Sequence, residues 1–120
     1  MIEGFEDITF DLTDHEKNVL VPLFIKGFQK KIGRKNAVTA RQISKALKDN
    51  FSHKVDGPRI RKIVNFIRMN WLVPGLVATS QGYYIETDKE EVSKYVRSLT
   101  GRIEAIKAIR QKFIDYDLTM

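Results

Sequence analysis

The chain has 120 residues, enough for one compact core but not two, and its formal net charge of +6 sets 21 Lys and Arg against 15 Asp and Glu. It contains no cysteine, which excludes disulfides, thiolate metal sites and cysteine nucleophiles and suits an intracellular chain. The opening MIEGFEDITF lacks the basic-then-apolar layout of a secretory signal, and no apolar run approaches the roughly 18 residues of a membrane span, so the expectation is a soluble cytoplasmic protein that does not contact membrane.

The charge is unevenly placed. Up to Phe24, six acids face only Lys17; from Lys26 to Arg68, thirteen Lys and Arg face only Asp49 and Asp56; from Glu86 onward, seven acids balance seven bases. A central basic block attracts phosphate backbones, anionic headgroups or an acidic protein.

Residues 1–12 form an acidic segment in which Ile8, Phe10 and Leu12 alternate with polar residues, which predicts a short extended arm. Thr13 and Glu16 have capping-box spacing, and Leu20, Leu23, Phe24, Phe28 and Ile32 mark an apolar face, predicting a helix from about Asp14 to Ile32, kinked at Pro22 and ended by Gly33. Arg34 to Asn36 read as a basic turn. Ala37 and Val38 leave room for one isolated strand bridge before a second capping box, Thr39 with Gln42. The helix that follows runs to Asp49 or Asn50, buries Ile43, Ala46 and Leu47, and exposes Arg41, Lys45 and Lys48.

After a polar turn, Asp56 or Gly57 caps a third helix with Pro58 in its first turn. Ile60, Ile63, Val64, Ile67 and Trp71 share one face, with Arg61, Lys62, Asn65 and Arg68 opposite. Pro74 and Gly75 close that helix. Leu76 to Thr79 and Tyr83 to Thr87, separated by Ser80-Gln81-Gly82, predict a β-hairpin. From Asp88 a last helix runs to about Phe113 or Tyr116, with Asp88, Glu90 and Glu91 suiting its positive start. Val92, Val96, Leu99, Ile103, Ile106 and Phe113 recur along it in alternating four- and three-residue steps, with Arg110 completing the series. Such a seam predicts a homodimer through Val96, Leu99, Ile103, Ile106 and Phe113, the alternative being that the helix folds back on its own first helix and acidic arm.

No catalytic constellation emerges. His15 and His53 are far apart in sequence with no cysteine to assist a metal site. Adjacent Glu90 and Glu91 point apart on a helix, and the glycines are scattered, forming no phosphate-cradling loop. Trp71 and one of Tyr83 and Tyr84 are expected in the core between helix and hairpin. No enzyme activity, cofactor or metal is expected.

The order helix, strand bridge, helix, basic helix, hairpin resembles a winged helix-turn-helix domain over residues 13–87, with 88–116 as an added C-terminal helix. Through GRKNAVTARQISKAL and VDGPRIRKIVNFIRMNWLVPGLVATSQGYYIET, the chain also resembles a family of small winged-helix proteins of tailed phages and prophages. The resemblance implies an α+β, mostly helical fold of three helices plus a hairpin wing, in the host cytoplasm. It also implies a double-stranded DNA-binding surface serving transcription or replication, with the helix 58–70 in the major groove. On that pattern Arg59, Arg61, Lys62, Asn65 and Arg68 meet bases or backbone. Thr39, Arg41 and Lys45 lie at or near a phosphate-holding helix start, Lys54 sits beside the groove, and Gln81 is at the wing tip. The wing departs from the pattern, for its tip has no Lys or Arg. That keeps open an alternative in which the same surface is an adaptor binding a host or phage protein, and a weaker third in which hairpin aromatics bind RNA or single strands.

Overall fold

The computed structural model describes residues 11–116, which divide into two compact units, one ending at Thr87 and one beginning at Asp88. The predicted arm falls largely outside the described residues; Leu12, at its end, is buried.

In the first unit the Thr13–Glu16 capping box forms as expected: the Glu16 N–H donates to Thr13 Oγ1 at 3.1 Å and the Thr13 N–H to Glu16 Oε1 at 2.8 Å. The chain then makes a π-helical turn, Glu16–Leu20, before helix α1, Val21–Phe28. The backbone stays right-handed helical from Asp14 through this turn into α1, so Pro22 lies inside one continuous helical run, with the widened π turn directly upstream of it. The helix also ends earlier than its apolar spacing suggested. Ile32, expected on the buried face, is half-exposed, because its backbone leaves the helix to bridge Ile85. Gly33 adopts φ 83° beyond the helix, at the start of the 3-10 turn Arg34–Asn36.

Val38 bridges Tyr83 as an isolated antiparallel pair. Helix α2, Ala40–Phe51, opens with the complete Thr39–Gln42 capping box. It buries Leu47 and half-buries Ile43, but Ala46 is exposed, contrary to its assignment to the core face. The loop to the next helix is tied back by the Ser44 hydroxyl, which donates to the Val55 carbonyl at 2.7 Å.

Helix α3, Gly57–Met69, is capped by Asp56, whose carboxylate accepts the Arg59 N–H at 2.9 Å. Ile60, Ile63, Val64 and Ile67 expose no surface at all and form the centre of a core with Leu20, Phe24, Phe28, Leu47, Val73 and Leu76. Trp71 does not join them. The helix closes when Trp71 takes a left-handed φ of 54° and the Leu72 N–H reaches back to the Ile67 carbonyl at 3.0 Å. This is the helix-ending geometry usually supplied by glycine. It turns the indole off the helical face and leaves Trp71 64% exposed.

Strands β1, Leu76–Thr79, and β2, Gly82–Ile85, pair antiparallel with Leu76 opposite Ile85 and Thr79 opposite Gly82. Tyr84 is buried, and Tyr83, partly buried, packs against the core edge to face with Phe28. Gly82 has φ 120°, and a Cβ there would stand 2.5 Å from the Val38 carbonyl oxygen. Only glycine permits this close approach of hairpin to bridge.

The second unit is one helix, α4, Lys89–Asp115, capped by Asp88, which accepts the N–H groups of Glu90 and Glu91. No residue of α4 is buried. The architecture is thus mostly helical with one small antiparallel hairpin. Among the described residues no helix is long and apolar enough to cross a membrane.

Candidate nucleic-acid interface

Helices α2 and α3 bring one set of the expected residues together. An open depression of about 730 Å³ is lined by Ala40, Arg41, Ser44, Lys45, Lys48, Asp49, Gly57 and Arg61. Arg41, Lys45, Lys48 and Arg61 are all exposed. The Arg61 guanidinium folds back over the start of its own helix, 3.7 Å from where a Gly57 Cβ would stand, the direction helical side chains favour. One acid intrudes, Asp49, which meets Lys45 at 3.7 Å in an exposed pair and lowers the net charge of the concavity by one.

The helix starts add donors. At α2 the capping box uses the Thr39 N–H and hydroxyl and the Gln42 N–H. Thr39 is therefore occupied within its own turn. Helix geometry leaves the N–H groups of Ala40 and Arg41 pointing outward at the positive end of the helix dipole. An open concavity lined by four cations beside a helix start has the chemistry to accept an anion.

Farther along α3, Asn65 and Arg68 are half-buried, with Arg68 Nη1 3.4 Å from Asn65 Oδ1. Tyr83 of the hairpin borders this stretch. Burial pushes its hydroxyl pKa up, and the charges of Arg61 and Arg68 partly oppose that shift. Tyr83 also packs on the core, edge to face with Phe28 at 6.3 Å between ring centroids, and no local sequence pattern marks its nearness to the two arginines.

Other expected site residues lie elsewhere. Lys62 is 7% exposed, so its place on the exposed basic face is corrected. It falls three residues after Arg59 and four before Phe66, on the flank of α3 that Arg59 turns toward Glu16. Arg59 itself binds the Glu16 carboxylate through Nε, 2.7 Å from Oε2, and through Nη2 to Oε1. Burial alone raises the Glu16 pKa, but the hydrogen bonds from Arg59 and Thr13 and the guanidinium charge outweigh it, so the net shift is downward.

Arg59 and Lys54 line a separate depression of about 300 Å³ with Thr13, His15, Glu16, His53 and Asp56. His15 and His53, distant in sequence, meet there edge to face with ring centroids 5.2 Å apart. No group of three or more metal-ligating side chains exists among the described residues. Gln81 stands exposed at the hairpin tip. Comparison of the chain with protein-family models, with curated proteins and with solved structures finds no match.

Proposed function

We propose that the chain is a non-enzymatic, double-stranded DNA-binding protein of winged helix-turn-helix type, a phage-encoded regulator of transcription or replication. The observation that carries this reading is the grouping of Arg41, Lys45, Lys48 and Arg61 around one open concavity that runs along α2 to the start of α3. In this reading the backbone donors of Ala40 and Arg41 with Lys45 and Lys48 hold phosphate. Arg61 and Asn65 meet base edges, where arginine pairs with guanine and asparagine with adenine. Arg68 and Tyr83 flank the contact, and Gln81 approaches the duplex from the hairpin tip.

The test is binding of a labelled duplex pool across salt concentration, followed by selection of preferred sequences. Affinity should fall steeply as salt rises, because each neutralised phosphate releases counterions. A flat salt response, or no duplex binding at low salt, would defeat the reading. The alternative, an adaptor docking an acidic protein on the same basic face, draws support from the hairpin tip, where Ser80 and Gln81 stand without a cation.

A further inference from the structure

Helix α4 spans 27 residues, about 40 Å at 1.5 Å per residue. Its 4–3 spaced series Val92, Val96, Leu99, Ile103, Ile106, Arg110, Phe113 lies along one side. Ile106 is 65% and Phe113 76% exposed, and Ile109 and Ile114 widen the apolar strip at the C-terminal half. Charge lies outside the seam, on its flanks and beyond them, with exposed pairs Lys94–Glu91 at 3.1 Å and Lys107–Glu104 at 3.6 Å. A stripe of this length and regularity is the seam of a helix pair.

We propose that α4 pairs antiparallel with α4 of a second copy of this chain, Ile103 of each packing on the partner's Ile106. The charges select the direction. In a parallel, in-register pair, equivalent seam positions meet, so Arg110 would face the partner's Arg110 inside the seam. On both flanks Arg102 would also face the partner's Lys107, five residues further on. The exposed Glu104 beside Lys107 offsets little of that repulsion.

Reversing one helix removes all three like-charge contacts. With Ile103 on the partner's Ile106, Val96 meets Phe113 and Leu99 meets Arg110. The Arg110 stem then covers Leu99 while its guanidinium reaches water. On the flanks Arg102 meets Ile109 and Lys107 meets Thr100. Sliding the pair by one heptad toward the N-termini would set Arg102 against its own copy, which favours the first register. Antiparallel pairing also opposes the helix dipoles. The inference stands on α4 alone, so its failure would leave the duplex-binding reading untouched.

The absence of native cysteine makes disulfide mapping in the full chain direct. Val96→Cys and Phe113→Cys replace exposed side chains, and circular dichroism checks that each variant keeps parental helicity. Under a glutathione redox buffer, the two variants mixed should give a disulfide-linked dimer several-fold more abundant than either variant alone, and light scattering should give the parent twice its chain mass. Equal or greater linkage for Val96→Cys alone would establish a parallel pair and overturn the proposal. A parent monomeric at high micromolar concentration, or a dimeric parent with no linkage in any sample, would overturn it as well.

Discussion

Glu16, in the π-helical turn ahead of α1, is 5% exposed and receives two hydrogen bonds from the Arg59 guanidinium, 43 residues later in the chain, in the first turn of α3. The contact fixes the start of the helix that carries Arg61 and Asn65 against the start of the domain. A bidentate arginine–carboxylate pair specifies direction as well as distance, so it adds an oriented contact to the apolar packing that holds α3.

This pair makes stability depend on pH in a defined direction. The folded Glu16 pKa lies below its ordinary value, so its contribution is complete well above the usual glutamate pKa of about 4.3 and is lost as pH falls through the lower folded value. Glu16→Gln should cost about 1.5–3 kcal/mol near pH 7, the range for hydrogen bonds to charged groups. The gap to the parent should close toward pH 3. Urea unfolding at both pH values measures it, and an equal gap at both would mean the carboxylate charge does not matter.

The core of α3 offers a larger effect. Ile67 exposes no surface, and truncation there removes buried methyl groups and leaves a void. Ile67→Ala should destabilise by roughly 2–5 kcal/mol, a substantial part of a small domain's total. A thermal melt within a degree or two of the parent would show that this face is not the core.

Most of the first unit was legible in the sequence because capping chemistry and apolar periodicity are local. Thr13 with Glu16, Thr39 with Gln42, and Asp56 before Pro58 each marked a helix start that formed. What was not legible depends on partners distant in sequence. Spacing places Lys62 opposite the isoleucines, but its burial depends on tertiary packing that spacing does not encode, and the Glu16–Arg59 contact likewise has no sequence signature. Trp71 fits the helical spacing, yet the helix ended at Met69, two residues before it. His15 and His53 met through tertiary packing alone. Likewise, the basic block forecast a positive surface but did not foresee that Arg59 and Lys54 would line a different depression from Arg61.

The ending of α3 predicts a gain rather than a loss. A left-handed backbone costs an ordinary residue about 1–2 kcal/mol, and Trp71 recovers little by burial because it is mostly exposed. Trp71→Gly should therefore keep the helix ending and raise stability by up to about 1 kcal/mol. A marked drop in melting temperature would instead give the indole a packing role.

The neighbours Arg61 and Lys62 provide the sharpest separation of surface from scaffold. Both are cations in the same turn of the basic helix, and composition cannot rank them. Arg61 is exposed at the concavity with Arg41 and Lys45, whereas Lys62 is buried on the flank shared with Arg59 and Phe66. If that concavity holds the duplex, Arg61→Ala should weaken binding by about 1–3 kcal/mol and relax preference at one base pair. Lys48→Ala should weaken all sequences alike and lower the salt slope by about one. Lys62→Ala should leave affinity near the parent's while altering the thermal melt, since its side chain contributes to packing rather than to the surface. Fluorescence anisotropy with one duplex at two salt concentrations, paired with melts of the same preparations, separates the cases. A Lys62→Ala protein with parental stability and an affinity loss matching that of Arg61→Ala would move the binding surface to the opposite flank of α3.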